Sequence, residues 1–185
     1  MDKKQEKYKN AVLFFAKNLN KFQLGKTKLA KLLYYLDFIS YRDKKKTVTG
    51  TLYYKQEFGP LAKDLTQIIG DLVSEKKLKV NSFVNEKDGI KKDEFIALDG
   101  YNDKVFNDYE KTLMRKLVSR YGSLSTDILV AKSHIEAPWV KAQNGGVLDF
   151  DNASDIDDFD PQAEEESQEE ATKIAQAVKA ELARA

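Results

Sequence analysis

Cysteine is absent from this 185-residue chain, and histidine and tryptophan occur once each. Without cysteine the chain can form neither disulfide bonds nor cysteine-ligated metal sites, and this composition is typical of proteins from a reducing compartment. The sequence also lacks the about 18 consecutive apolar residues that a membrane-spanning helix requires, and its first seven residues contain no apolar run. We therefore expect a cytoplasmic protein that binds no membrane.

Charge is distributed unevenly along the chain, although the net charge is only +1. Residues 148–185 contain 12 acidic and 3 basic side chains, which leaves the first 147 residues with a net charge of +10. A basic surface of this kind can bind an acidic partner or nucleic acid, with the acidic tail as an internal competitor. The simpler interpretation is a solvated, lysine-rich surface followed by a solubilising tail.

Two amphipathic helices are predicted at the start of the chain. Apolar residues recur at helical spacing between Tyr8 and Leu19, and Gly25 marks a break. Thr27 is expected to cap the second helix. The apolar stripe of that helix comprises Leu29, Leu32, Leu33, Leu36 and Ile39.

A short aromatic strand is predicted from Val48 to Glu57, because β-branched and aromatic residues follow a charged turn there. Phe58-Gly59-Pro60 is expected to end this strand, with Pro60 at the first position of a new helix. The strand period places Tyr53 and Tyr54 on opposite faces, so one can be buried while the other stays available to a partner.

The remaining periodic segments complete a helix-dominated α+β domain with a small antiparallel β-sheet. Residues 78–84 and 94–98 are predicted strands joined by a hairpin turn at Asp88-Gly89, and a three-stranded antiparallel sheet is expected. An amphipathic helix is predicted from Asp103 to Gly122, and Ser125 is expected to cap a shorter one. We expect one globular domain over residues 1–147.

Residues 148–185 are expected to form an acidic linker and a C-terminal helical tail. The segment 149–160, DFDNASDIDDFD, lacks the periodicity of a packed element and is too acidic to collapse alone, which predicts a flexible linker. From Pro161 onward, alanine and glutamate dominate, and a weak apolar stripe lines one helical side. Such a helix becomes fully ordered only against a partner.

No catalytic, metal or cofactor site is predicted from these residues. His134 could serve as a general base, but a structural hydrogen-bonding role fits better because no nucleophile motif accompanies it. The aspartates in residues 149–160 lack the glycine and glutamate spacing of a calcium loop. Trp139, after Pro138, either seals the ends of helices or anchors a partner.

Aromatic side chains interleaved with lysines offer one more interpretation, because such residues can stack bases and hold phosphates. Core packing explains most of these aromatics more simply, and no separate helix-turn-helix segment is visible. A nucleic-acid-binding regulator is therefore the alternative from a different functional class.

Two groups of short motifs carry a family resemblance. The first comprises Lys28-Leu29, Lys31-Leu32-Leu33-Tyr34-Tyr35, Val48-Thr49-Gly50, Leu52-Tyr53-Tyr54 and Phe58-Gly59-Pro60-Leu61 with Leu65, and the second comprises Ser133-His134 and Pro138-Trp139. In order and spacing they resemble the Panacea domain, which is shared by bacterial and phage antitoxins that include SocA-like and GepA-like proteins. The resemblance covers residues 8–143. The chain departs from many members at Ala30, where they have glutamine, and at Gln56, near which they have tryptophan.

The resemblance implies a non-enzymatic antitoxin that neutralises a cognate protein toxin by direct binding, with partner choice set by variable surfaces. SocA-like members instead deliver the toxin to a protease, which gives an alternative mechanism. A role as a phage accessory protein is a further alternative function. We expect partner contacts among the aromatic motif residues and structural roles for the others. The partner-binding candidates are Tyr34, Tyr35, Tyr53, Tyr54, Phe58 and Trp139, and the structural candidates are Gly59, Pro60, His134 and Pro138.

Overall fold

The computed structural model describes residues 3–19, 24–84, 89 and 91–156 of the chain. This part of the chain is mainly helical with small antiparallel sheets, which confirms the predicted α+β class. No helix in these ranges combines the length and the apolarity needed to cross a membrane. The elements are α1 (Lys3–Asn18), α2 (Lys26–Lys44), β1 (Tyr53–Gln56), β2 (Gly59–Ala62), α3 (Leu65–Ser74), β3 (Leu78–Val84), β4 (Lys91–Ala97), α4 (Asp108–Tyr121), α5 (Thr126–Ile135) and α6 (Ala137–Lys141), with short 3-10 helices at Asp103–Val105 and Phe150–Asp155.

Helix α2 is the core element and is buried on every side. Every residue from Lys28 to Ser40 is buried, including all positions of the predicted apolar stripe. Such a helix must pack against several elements at once, and α2 contacts β2, α4, α5 and the 3-10 helix Phe150–Asp155. The predicted cap at Thr27 is wrong, because the N-cap is Gly25 and no side chain bonds to the helix there.

Helix α1 confirms the first predicted stripe, since the apolar side chains between Tyr8 and Leu19 are buried. It packs against α2, α3 and β4. The Lys9 ammonium lies 2.6 Å from a Glu75 carboxylate oxygen and 3.2 Å from one of Asp71. This ion pair network ties α1 to the C-terminal half of α3.

Strands β1 and β2 form a tight hairpin, and the predicted helix start at Pro60 is wrong. Gln56 pairs with Gly59 across the two-residue turn Glu57-Phe58. Pro60 therefore lies inside a strand, and the next helix begins only at Leu65. Proline is tolerated there because β2 is an edge strand, where the missing backbone donor is not required by a second neighbouring strand.

The two hairpins form separate sheets, so the predicted three-stranded sheet is wrong. Strands β3 and β4 pair with each other over all seven residues of each strand, while the strand paired with β1 is β2. The other edge of β1 is covered by residues 145–148, through a bridge between Tyr54 and Val147. The predicted hairpin turn residue Asp88 lies outside the described residues.

The C-terminal helices begin at defined caps. A capping box formed by Asn107 and Glu110 starts α4, which begins later than predicted because the separate 3-10 helix Asp103–Val105 precedes it. Ser125 caps α5 as predicted, accepting a hydrogen bond from a backbone N–H of the first turn. Only Glu136 separates α5 from α6, so the two helices meet directly at a corner.

Residues 148–156 pack on α2, so the predicted flexible linker is wrong for residues 149–156. Leu148, Ala153 and Ile156 are each 1% exposed, and the Phe150 ring stacks on Phe38 with ring centroids 4.3 Å apart. The domain therefore extends past the predicted boundary at residue 147. The rest of the predicted linker and the helical tail, residues 157–185, lie outside the described residues.

Candidate functional site

The two motif groups meet where the tip of the β1–β2 hairpin rests on the junction of α5 and α6. His134 contacts main-chain carbonyl oxygens with both ring nitrogens: Nδ1 lies 2.6 Å from the Val130 oxygen and Nε2 lies 3.0 Å from the Glu57 oxygen. The Trp139 indole N–H donates to the Gln56 oxygen at 3.4 Å. The second motif group therefore holds the hairpin turn through its backbone.

The Trp139 ring contacts the side chains of His134 and Lys55 and is half-buried. Its ring centroid lies 4.1 Å from that of His134, and the Lys55 ammonium lies 4.0 Å from the indole centroid in a cation–π arrangement. Lys55 also donates to the Ala142 oxygen at 3.0 Å. Pro138 is buried at the start of α6, where its fixed φ suits the first helical turn. Trp139 thus joins the α5–α6 junction to the hairpin, and part of its side chain stays accessible.

Gly59 stands where two motif side chains leave no room for a side chain. Its φ of +85° is in the left-handed region, which residues other than glycine rarely adopt. A Cβ at this position would lie 2.6 Å from Ser133 Oγ and 2.8 Å from Lys31 Nζ. The geometry supports the predicted structural role of Gly59.

A buried polar cluster that the sequence did not reveal lies beneath the hairpin. Lys31 is 1% exposed, and its ammonium donates to the Pro60 oxygen at 3.0 Å. Burial lowers the pKa of Lys31 to about 7, while the nearby Glu136 carboxylate acts in the opposite direction. Burial, and then the charge of Glu136, raise the pKa of Tyr34 and of Tyr35 well above the ordinary tyrosine value. These motif residues and Glu136 form one electrostatically coupled group.

Asp37 organises the segment that leads into β1, a second role that the sequence analysis missed. Its carboxylate accepts hydrogen bonds from the N–H groups of Val48 at 2.7 Å and Thr49 at 2.8 Å, from the Thr49 hydroxyl, and from the Tyr53 hydroxyl at 2.8 Å. Burial raises the pKa of this carboxyl, and the hydrogen bonds oppose the shift. An acidic residue inside an apolar helical stretch is the sequence signal that could have identified it.

The six partner-binding candidates divide into buried and accessible residues. Tyr34, Tyr35 and Tyr53 are each 0% exposed, so the prediction that they offer contacts to a partner is wrong. Their rings instead pack against one another around α2, with Tyr34 in contact with both others. Tyr54 is half-buried and Tyr53 is buried, which agrees with the predicted alternation along the strand.

Phe58 lies in the hairpin turn and Trp139 donates to the strand that leads into this turn, and both side chains are accessible. Phe58 is 55% exposed, Ile135, next to His134, is 42% exposed, and Val140, next to Trp139, is 56% exposed. We call Phe58, Ile135, Trp139 and Val140 the corner surface. Exposed apolar side chains and accessible tryptophans are both common at protein contact sites.

An open groove lies on the outer face of the hairpin. It has a volume of about 390 Å³ and is lined by Tyr54, Gln56, Leu61 and residues 62–67. Within the described ranges, no group of three or more histidine, aspartate or glutamate side chains is placed to hold a metal ion. The groove is lined by both apolar and polar side chains.

Comparison with known proteins identifies a family whose model spans the hairpin and the α5–α6 junction. A family model described as Antitoxin SocA-like, Panacea domain, matches residues 29–140, which is more than half of the chain. The match runs from α2 to α6, so it includes both the hairpin and the α5–α6 junction, and it confirms the resemblance predicted from the motifs. No curated protein and no solved structure matches the chain.

Proposed function

This chain belongs to the Panacea-domain family of SocA-like antitoxins, and from that membership we propose that it neutralises a cognate protein toxin by binding it directly. The family supports the antitoxin role itself. The choice of direct binding, and of the corner surface as the place of contact, rests on how the motif residues are arranged.

The observation that carries the proposal is that both motif groups meet at the hairpin tip, where Phe58 and Trp139 are accessible. His134 and Trp139 hold the hairpin turn by its main chain, at 3.0 Å and 3.4 Å, and the turn carries the exposed Phe58. A surface fixed in this way loses little conformational entropy on binding. Aromatic side chains in such positions commonly supply most of the binding energy of an interface.

We further propose that neutralisation involves no catalysis by this chain. Both nitrogens of His134 face main-chain carbonyl oxygens, so the imidazole is engaged in holding the hairpin. Lys31, whose pKa is lowered to about 7, is buried beneath the hairpin, where a partner cannot reach it. Both arrangements favour structural roles for the residues that could otherwise transfer protons.

Co-expression with the protein encoded by the neighbouring reading frame tests the proposal. We expect that protein to arrest growth alone, this chain to restore growth, and the two purified proteins to form a complex without any third component. Delivery to a protease would instead lower the amount of toxin in the cell. Restored growth that requires loss of the toxin, with the complex alone failing to inhibit the toxin, would therefore contradict neutralisation by binding alone and favour the adaptor mechanism.

A further inference from the structure

Three consecutive lysines form an exposed basic turn at the C-terminal end of α2, outside the corner surface. Lys44, Lys45 and Lys46 are exposed, and Lys45 has a φ of 53°, which turns the chain out of the helix. Lys44 lies 5.0 Å from the ring centroid of Tyr109, and Lys45 lies 5.2 Å from that of Tyr41. Among the described residues, none of the three ammonium groups forms an ion pair with a carboxylate. We call these three residues the lysine turn.

We propose that the acidic run of residues 157–170 of this chain docks on the lysine turn and covers it. This run contains 8 acidic side chains and no basic one. Its charge is therefore opposite to that of the turn along its whole length. The proposal does not depend on the identity of the toxin or on the role of the corner surface.

The described part of the chain delivers the acidic run to this place. Ile156 is buried, and its carbonyl oxygen accepts a hydrogen bond from the Arg42 guanidinium in the last turn of α2. The acidic run therefore begins at the residue directly after this contact with the last turn of α2. Asp151 of the same segment accepts a hydrogen bond from the Tyr41 hydroxyl at 3.0 Å. Docking of residues 157–170 would thus continue a contact that the preceding segment already makes.

Two carboxylates near the lysine turn, those of Asp43 and Asp151, form hydrogen bonds with other groups, and the charge of Asp43 also acts on Lys44. Asp43 accepts from the Arg42 guanidinium at 2.8 Å and from the Tyr109 hydroxyl at 2.9 Å. The Asp151 carboxylate accepts a hydrogen bond from the Tyr41 hydroxyl. The positive charge of the three lysines is therefore only partly balanced, and an additional acidic segment is attracted to it.

The expected contact is reversible and sensitive to salt. Exposed ion pairs are individually weak and are screened by added salt. A short tether compensates, because it keeps the acidic run at an effective concentration on the order of millimolar near the turn. An acidic partner that used the lysine turn would have to displace the run, so the tail would act as an internal competitor.

A spin label on the full chain tests the proposal. Because the chain has no cysteine, Ser167→Cys provides a single attachment site for a nitroxide within the acidic run. At low salt we expect the label to broaden the backbone amide signals of residues 44–46 more than those of Lys79 and Lys91. In ~0.5 M salt, where the screening length is about 4 Å, the excess broadening should fall at least twofold.

Matched charge substitutions identify the docking site. The triple variant Lys44→Glu, Lys45→Glu, Lys46→Glu should lose the excess broadening. The control triple variant Lys76→Glu, Lys79→Glu, Lys91→Glu changes the net charge equally near the β3–β4 hairpin. This hairpin is bonded through the Phe95 N–H to the oxygen of Leu24, just before the opposite end of α2. This control should retain the broadening at residues 44–46. Two results would overturn the proposal. One is excess broadening at residues 44–46 that does not fall with added salt in the unsubstituted chain, and the other is excess broadening that remains in the Lys44→Glu, Lys45→Glu, Lys46→Glu variant.

Discussion

Gly59 shows how closely the first motif group packs beneath the hairpin. It combines a positive φ with neighbours on α2 and α5 that would lie under 3 Å from an added Cβ. A glycine before a proline is a general sign of a turn, so the need for glycine here could be predicted from the sequence. The neighbours that enforce it, Ser133 and Lys31, could not be, because they come from distant parts of the chain.

Gly59→Ala should destabilise the fold by ~1 to 3 kcal/mol, because the methyl group meets Ser133 and Lys31 and the backbone conformation disfavours any side chain. Thermal unfolding measures the change. Gly70→Ala is the matched control, because Gly70 lies within α3 with no atom within 4 Å of its added Cβ. Alanine in that helix should stabilise the protein by ~0.5 to 1 kcal/mol. Equal melting temperatures for Gly59→Ala and the unsubstituted chain would show that the fold does not require glycine at this position.

Lys31 should make the stability of the protein rise with pH above neutrality. Its pKa is about 7 in the folded chain and 10.5 when unperturbed, so between these values the unfolded chain binds the extra proton. The free energy of unfolding therefore increases with pH through this window, by on the order of 2 kcal/mol between pH 7 and about pH 9. Lys28, whose burial lowers its pKa to about 8, adds to the same trend.

Denaturant unfolding of Lys31→Met between pH 6 and pH 9 measures the contribution of Lys31. We expect the variant to show a smaller rise in stability with pH, since its side chain does not titrate. Lys44→Met, at an exposed position, is the control and should keep the full rise. A Lys31→Met protein with an unchanged pH dependence would show that burial does not shift the Lys31 pKa.

At the scale of elements, the sequence predicts helices better than it predicts the hairpin. The apolar stripe from Leu29 to Ile39 identifies α2. It does not predict that this helix is buried on every side, because that burial depends on packing from other elements. The β1–β2 turn, Glu57-Phe58, lacks the asparagine or glycine pairs that mark two-residue hairpins. The sequence pattern therefore predicts a helix start at Pro60, although Pro60 pairs with Lys55 within a sheet.

His134 should act by holding the hairpin against α5. His134→Gln keeps one hydrogen-bonding group near the Glu57 oxygen but loses the ring packed on Trp139, so a loss of stability of ~1 kcal/mol is expected. The folded variant should still restore growth when co-expressed with the toxin. A folded His134→Gln protein that binds the toxin without restoring growth would contradict the non-catalytic account.

At the scale of the whole molecule, the acidic composition of the C-terminal region hides a packed segment. Residues 149–156 are rich in aspartate, yet Phe150, Ala153 and Ile156 provide enough apolar contact to fix the segment on α2. The overall composition of this segment is acidic and carries no information about the spacing of its apolar residues. Composition alone therefore predicts a linker. The antitoxin family could be predicted from the motifs, but which motif aromatics reach the surface could not, because exposure depends on the packing around α2.

Two truncations separate the packed segment from the tail. A chain ending at residue 156 should unfold at a midpoint close to that of the full chain. A chain ending at residue 147 should lose at least ~3 kcal/mol, because it removes the buried side chains of Leu148 and Ile156 together with the ring of Phe150. Similar unfolding midpoints for the two truncated chains would show that the folded domain ends at residue 147, as the sequence predicts.

The affinity of the purified toxin for two phenylalanine variants tests most directly whether the corner surface is the binding site. Phe58→Ala removes an exposed side chain from the hairpin tip, and Phe83→Ala removes one that is 44% exposed on β3. Neither change should affect folding. We predict that Phe58→Ala weakens binding at least ~30-fold, the loss typical of an interface anchor, and that Phe83→Ala changes it by less than about twofold. Equal affinities for Phe58→Ala and the unsubstituted chain, or a large loss with Phe83→Ala alone, would contradict the account.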